Sequence, residues 1–489
     1  MVAVWRCQHE LLINREGNKS SSQAGWRTGR ATVSCSFQVL PLVSRMFIMH
    51  RILRCFALSI FFLSAVCAIA RATDVHEVIL DNGLKVLLLE DHKSPAVTFQ
   101  VWYRVGSRNE KDGKSGLSHF LEHMMFKGTP TVKPEEYSRI IAKNGGRANA
   151  FTSSDMTVYF ATMSRDKIGI EIELEADRMA HALLGDTYFE PEKKVIQEER
   201  RLRTDDNPAS ALGEMASAVA YLVHPYRRPV VGWMDDIQNL TRQDLVDYYK
   251  LYYAPNNAFV VVTGDFSTAE ILPKIKAAFE KIPQGAEPPK VRADEPPQRG
   301  ERRVILKKEA ELPFVLMFYH APNLKSPDNY PLDVLSVVLA GGRSSRLYHQ
   351  LVYQKRIVRS IDADYSSVSV DPTGFSVTAQ LMPGKEPAAI EREIDSVLDK
   401  VKSELISERE LQKAKNQIEA AFVFAQDSIF GQAMKIGYYE IAGGWKQMDT
   451  YLEGIRKVTR EDVRRVARQY VERDRRTVGI LIPTQEIAQ

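Results

Sequence analysis

Cysteine is scarce: the 489 residues hold four, Cys7, Cys35, Cys55 and Cys67, and none lies beyond residue 67. With the N-terminal stretch removed, the chain has no thiol for a disulfide, a cysteine nucleophile or a thiolate metal site. Bias of charge is also missing. The first 72 residues carry nine Lys/Arg against two acids, so that of 66 basic and 62 acidic residues overall, 57 and 60 lie downstream. Such a balance provides no bulk basic surface, and no nucleic-acid partner is expected. After residue 72 no apolar run approaches the roughly 20 residues that cross a bilayer, so no membrane span is expected in the mature chain. At 44% hydrophobic and 26% charged residues the composition excludes disorder and collagen-like repeats, and the length suits two or three domains with their own cores.

What is present begins with a segment that is not fold. From Met49 the chain reads MHRILRCFALSIFFLSAVCAIARA: Arg51 and Arg54 precede a 16-residue apolar run, Cys55 to Ala70, which closes in Ala70-Arg71-Ala72. This is the grammar of a secretory signal, so residues 1–72 are taken as extension and signal peptide, with Thr73 as the mature N-terminus. A periplasmic or secreted location is expected. The alternatives are a lipid-attachment role for Cys67, which bulky Val66 disfavours, and a transit peptide in residues 1–45, which would place the protein in the mitochondrial matrix.

The mature chain reads as an α+β protein built from a duplicated domain, each half a mixed, mostly antiparallel sheet with helices packed on one side. Residues 75–105 predict a hairpin about Asn82-Gly83 and then a strand. Helices are expected over 166–184 and 191–203, with Pro191 in a first turn, and another follows Thr241, whose capping box reaches Asp244. A buried strand is expected at 257–265. Five prolines between Pro283 and Gly300 mark a linker, dividing a domain over 73–282 from a second over 301–489. The second repeats the cycle with strands at 302–308, 314–322 and 477–483 and helices from Pro331 and Ser407. It has only His320 and His349, so no metal site is expected there.

Chemistry concentrates in residues 116–130, GLSHFLEHMMFKGTP. On a helix His119 and His123, four apart, share a face, and Glu122 lies on the same side, while Leu117, Phe120, Leu121, Met124 and Met125 fill the rest. One buried histidine is ordinarily a hydrogen-bonded core residue. Two histidines and a glutamate on so apolar a helix cost several kcal/mol unless something binds them, and a metal ion is the simplest compensation. The order HxxEH inverts the commoner HExxH of zinc peptidases. Two imidazoles suit one Zn²⁺, with a third protein ligand and a water, and leave Glu122 as the base for that water. The third ligand is sought in PEKKVIQEERRLRT, where Val195, Ile196 and Leu202 predict a core-facing stripe that Glu192 and Glu199 share and Glu198 does not. Periodicity leaves Glu192 and Glu199 both open as ligand.

GLSHFLEHMMFKGT, the downstream EKKVIQEE, the HPY at 224–226 and YYAPNNAFVVVTGDF at 252–266 together resemble the pitrilysin (insulinase) family of zinc metallopeptidases, over essentially the whole mature chain. The resemblance implies zinc on His119, His123 and Glu199, with Glu192 supporting the site beside the catalytic Glu122. It also implies that peptide substrates, or unstructured segments of proteins, add as a strand along a sheet edge where Asn149, Ala150 and Phe151 offer backbone partners. Residues 145–162 read as a turn followed by a strand. A zinc endopeptidase is thus expected, the alternative being a non-catalytic family member that binds peptides or serves assembly.

One departure stands out. Active single-chain members of the family carry an Arg and, seven residues on, a Tyr in the second half, and in SSRLYHQLVYQKRIVRS these places fall at Val352 and Arg359. Valine has no donor and arginine is no phenol. The expectation is a homologous partner subunit that supplies the Arg/Tyr pair, or else a homodimer in which Tyr348, Tyr353 or Arg356 substitutes. His181 and His224 are expected to be structural, and Gly341-Gly342 to open a turn rather than a phosphate loop.

Overall fold

Alternating apolar residues at the start of the mature chain build β1 (His76–Ile79), β2 (Lys85–Glu90) and β3 (Ala96–Tyr103), the first two joined by the expected turn, with Gly83 at φ +82°. The computed structural model describes residues 74–292 and 294–484; the expected signal segment and the four cysteines lie outside them. Helices α1 (Leu117–Met124) and α2 (Glu136–Lys143) follow. Residues 145–162, read from sequence as a turn and one strand, instead form a hairpin of β4 (Arg147–Thr152) and β5 (Thr157–Ser164), because Ser153-Ser154-Asp155 turns the chain a second time. Then come α3 (Ile168–His181), α4 (Asp186–Arg200), α5 (Pro208–Ala220), α6 (Met234–Asn239) and α7 (Arg242–Tyr252), the last with its Thr241/Asp244 capping box. The half closes with β6 (Ala258–Gly264) and α8 (Thr268–Phe279).

The second half holds β7 (Arg302–Glu309), β8 (Phe314–His320), α9 (Asn329–Ala340), β9 (Val358–Tyr365) and β10 (Gly374–Leu381). Helices α10 (Pro387–Ser403), α11 (Glu408–Phe424), α12 (Ile429–Ala442), α13 (Gln447–Lys457) and α14 (Arg460–Tyr470) lead to β11 (Arg476–Thr484). The first sheet runs β1-β2-β6-β3-β5-β4 and the second β7-β11-β8-β10-β9. Each has a single parallel pair, β2 with β6 and β7 with β11, and is otherwise antiparallel. The order β2-β6-β3-β5-β4 thus recurs strand for strand as β7-β11-β8-β10-β9, which is the expected duplication.

One face of the first sheet, with Phe99, Val101, Val260 and Val262, packs on Phe120 and Leu121 of α1, Ile172 of α3 and Phe279 of α8. Its other face, with Leu87, Trp102, Val158 and Phe259, is covered by Ala433, Ile436 and Tyr439 of α12 from the second half. The exchange is reciprocal: α9, α10 and α14 cover one face of the second sheet, and Leu212 of α5, from the first half, meets Val304 and Leu481 on the other. With both faces covered, β6 is buried along its whole length and loses the polar alternation of a one-sided strand. Residues 75–484 accordingly belong to a single structural unit. Among the described residues no helix is long and apolar enough to cross a membrane.

Candidate metal centre

Helix α1 starts abruptly. Gly116 sits at φ +91°, and a side chain there would approach the Val231 carbonyl to 2.7 Å, so glycine is required both by conformation and by space. The buried carboxylate of Glu110 accepts hydrogen bonds from the Gly116 and Ser118 amides, each 2.8 Å, and so satisfies donors that a helix N-terminus leaves over. From this fixed start, one turn of helix separates His119 from His123, whose ring centroids lie 4.7 Å apart.

Helix α4 runs against α1, with Phe189 stacked on Phe120 at 4.9 Å. Two expectations about it need correction. It begins at Asp186, which leaves Pro191 inside the helix rather than in the first turn. Its buried stripe is Phe189, Glu192, Lys193, Ile196 and Arg200, whereas Val195 and Leu202 are 49% and 70% exposed. Helical spacing alone had assigned those two to the core; the neighbour α4 actually packs on is the metal-site helix, and the stripe follows that helix. Arg200, bonded to both carboxylate oxygens of Glu214 and to the Gly232 carbonyl, anchors the C-terminal end.

This places Glu199 Oε2 at 3.3 Å from His123 Nε2 and 3.6 Å from His119 Nε2. The three donor atoms all lie within 4.8 Å of one another. A tetrahedral zinc with bonds of about 2.0–2.2 Å has ligand-to-ligand edges of about 3.3–3.6 Å, which the two edges from Glu199 match, and two imidazoles with a carboxylate are the chemistry that holds one. Glu192 takes a different place: its Oε1 meets His123 Nδ1 at 2.9 Å while Lys127 Nζ holds its other oxygen at 2.6 Å. A proton on Nδ1 shared with Glu192 leaves the Nε2 lone pair of His123 directed at the cluster, the arrangement that ordinarily orients a metal-bound imidazole. Glu198 is exposed, as the helical wheel had it.

Charge in the cluster is strongly polarised. Burial, and then the neighbouring His123, push the His119 imidazole down to about 4. Burial acts the same way on His123, but its hydrogen bonds to Glu192 and Glu199 prevail and raise it to about 9. Glu199, bonded by His123, falls to about 2. The carboxylates thus favour positive charge on His123, while burial keeps it off His119. Burial raises Glu122 above the usual carboxylate range, opposed by a 2.6 Å hydrogen bond from Thr152 Oγ1 to its Oε2. At the rim Arg203, 76% exposed, pairs with the second oxygen of Glu199 at 2.6 Å.

Thus His119, Glu122, His123, Glu192 and Glu199 are gathered in one place. Asn149, Ala150 and Phe151 lie on β4, the edge strand of the first sheet, paired on one side only with Phe160, Tyr159 and Val158. Val352 sits half-buried against the second core on a wide helical turn, Tyr348–Gln354, and Arg359 is exposed on β9. Nearby Arg346 and Lys355 pair within the second half, with Glu410 and Glu393. His181 bonds Asp177 one turn away, and His224 accepts from the Tyr226 amide and places its Nε2 3.4 Å from Asp371 of the second half. Sequence reasoning missed Glu110, Lys127, Thr152 and Arg203. Lys127 and Arg203 follow His123 and Glu199 by four residues, a helical spacing that signals them; Glu110 and Thr152 act across the fold and leave no such mark.

Comparison with known proteins identifies the family. Residues 85–232 match the family model described as Insulinase (Peptidase family M16), and residues 239–418 match the Peptidase M16 inactive domain. The chain is 35% identical to the zinc protease PqqE of Helicobacter pylori over 413 residues, 83% of this chain and 93% of that protein. The crystal structure of a protease from Helicobacter pylori superposes with a TM-score of 0.81 at 34% identity, covering 84% of this chain and all of that one. In fold alone, at 18% identity and a TM-score of 0.70, the chain also resembles the periplasmic protease PqqL from Escherichia coli, 84% of it covering 48% of that longer chain. On its two family domains and its full-length relatives, the chain belongs to the insulinase family of peptidases, M16.

Proposed function

We propose that this chain is a zinc endopeptidase of peptides and unstructured protein segments, exported from the cytoplasm and working with a homologous subunit. The observation that carries the reading is the convergence of His119, His123 and Glu199 around one point with the carboxylate of Glu122 beside it. One zinc per chain, held by those three, would act as a Lewis acid and make a coordinated water acidic near neutral pH. Glu122, already raised by burial, takes the proton from the attacking water and delivers it to the leaving amine. Glu192 keeps the His123 ring in place, and Lys127 keeps Glu192. An extended peptide added to the open edge of β4 pairs with the backbone of Asn149, Ala150 and Phe151, which favours unstructured chains and tolerates varied side chains.

The partner follows from an omission. The oxyanion of amide hydrolysis needs a fixed donor, whose loss typically costs on the order of 10² to 10³ in rate, and Val352 and Arg359 do not supply the expected guanidinium and phenol. That this chain spans about half of PqqL supports a site completed by a second copy of the fold. Zinc content and a quenched-peptide assay test the whole reading. The purified protein should hold close to one zinc, Glu122→Gln should keep the metal and lose cleavage, and hydrolysis by this chain should rise on mixing with the homologous subunit. Less than about half an equivalent of zinc, or unchanged turnover in Glu122→Gln, would sink it. Full activity of the chain alone would replace the heteromer by a homodimer, and loss of that activity in Tyr348→Phe or Tyr353→Phe would identify the substitute donor. Sequencing the native N-terminus tests export, Thr73 being the expected first residue.

A further inference from the structure

Glu122 lies on α1, but the group that holds it does not. Thr152, the last residue of β4, donates through Oγ1 to Glu122 Oε2 at 2.6 Å. A glutamate side chain has three rotatable bonds, so a half-buried base on a short helix needs such a tether to keep its free oxygen toward the attacking water.

The hairpin that carries Thr152 is itself held with unusual completeness. Thr152 faces Thr157 across the strand pair, and Thr157 donates to the Val105 carbonyl at 3.0 Å. The turn between them gives its carbonyls to another segment: the Ser107 amide bonds Ser153 O at 3.1 Å and the Arg108 amide bonds Ser154 O at 3.0 Å. Gly106 lies so close that a Cβ would stand 2.3 Å from Ser153 O. Next in the turn, buried Asp155 accepts from Tyr226 Oη at 2.7 and 2.8 Å and from the backbone amide of Val370, in the second half, at 3.1 Å. Arg108 bridges Asp155 and Asp371, and the Asp371 amide returns to Tyr226 Oη at 3.2 Å. A buried carboxylate persists only with such partners, and here they come from three segments and both halves. From the second half to the base is a run of four residues, Asp155 back to Thr152.

We infer that Thr152 is the residue that positions Glu122, and that the junction of Asp155 with Tyr226 and the β9–β10 loop fixes the hairpin on which Thr152 sits. The inference rests on the peptidase reading and deepens it: the second half contributes to the chemistry by holding the base, without touching substrate. Because Thr152 adjoins Phe151 on the proposed docking strand, a role in peptide binding is the rival explanation. Kinetics separates the two, since a misplaced base lowers kcat while a lost docking contact raises KM.

The experiment compares Thr152→Val with Thr152→Ser in the active assembly, with zinc content and thermal unfolding recorded for each. Thr152→Val, equal in shape but without a donor, should lower kcat about 10- to 100-fold with KM within about twofold and zinc unchanged, while Thr152→Ser should stay within about threefold of the parent. In a Glu122→Gln background, Thr152→Val should leave the affinity for an uncleaved fluorescent peptide unchanged by anisotropy. Asp155→Asn provides a second variant, expected to lower kcat in the same sense. Undiminished kcat in Thr152→Val, a rise in KM alone, a loss of peptide affinity, or failure of Thr152→Ser to restore turnover would each overturn the positioning role. If Glu122→Gln cleaves as well as the parent, the peptidase reading falls first and this inference with it.

Discussion

At the scale of single residues, the centre is a contest between a proton and a metal ion for one set of donors. Without metal, His123 is held near 9 by Glu192 and Glu199, His119 is neutral near 4 and Glu199 is ionised near 2. At pH 7 the metal-free protein therefore carries one proton among the three donors, on His123, and zinc must displace it. The sign follows: affinity should weaken about tenfold for each pH unit lost between pH 8 and 5, and flatten above 9. Calorimetric titration of the metal-free protein with zinc, in two buffers of different ionisation enthalpy, should register close to one proton released at pH 7; none released would contradict the assignment. Glu192→Gln removes one of the carboxylates that raise His123 and should lessen this release while costing 10- to 100-fold in zinc affinity, the usual weight of a group that orients a metal-bound histidine. The pair of histidines and Glu122 could be read from the sequence because all three lie within one and a half turns of one helix. Choosing between Glu192 and Glu199 could not, since both share a face and only the position of α1 gives one of them both Nε2 atoms and the other Nδ1.

At the scale of elements, helix α1 is eight residues long, too short to be stable by its own propensity. It is made by its surroundings: Phe120, Leu121 and Met124 are buried completely, and Glu110 takes its first amides. Glu110→Ala would leave two buried N–H groups without acceptors, at about 1–3 kcal/mol each, and so should destabilise the fold by about 2–6 kcal/mol in urea unfolding and weaken zinc binding through fraying of α1. A loss below about 1 kcal/mol would mean that water replaces the carboxylate. Local signals served well where the cause is local, as with the box at Thr241, which starts α7 as expected, and the expected helix start at Ser407, where the structure adds a box of its own. They served poorly where a neighbour decides. The core face of α4 was misassigned for this reason, and the edge strand β9, whose apolar Val358, Ile361, Ala363 and Tyr365 do not keep a strict alternation, became visible only as the partner of β10.

At the scale of the whole molecule, the duplication was legible in the repeated order of strands and helices, but the exchange of helices between halves was not. Nothing in the apolar residues of a helix or in a helical wheel says which sheet α5 or α12 will cover, because an apolar face carries no address. Each half thereby completes the other's core, and at Gly437 in α12 the two halves meet closely. A Cβ placed there would stand 2.1 Å from Cζ2 of Trp102, itself wholly buried on β3. Two effects of Gly437→Ala oppose each other. Helix propensity favours alanine by about 1 kcal/mol, while overpacking a rigid indole typically costs 1–3 kcal/mol and here involves backbone against ring, with neither free to rotate away. Packing should win. The variant should unfold at a lower temperature than the parent, in one transition followed equally by circular dichroism and by the tryptophan fluorescence to which Trp102 contributes, because the face it opens belongs to both halves. Greater stability in Gly437→Ala, or two separate transitions in the parent protein, would show that the halves fold independently and that α12 only rests on the first sheet.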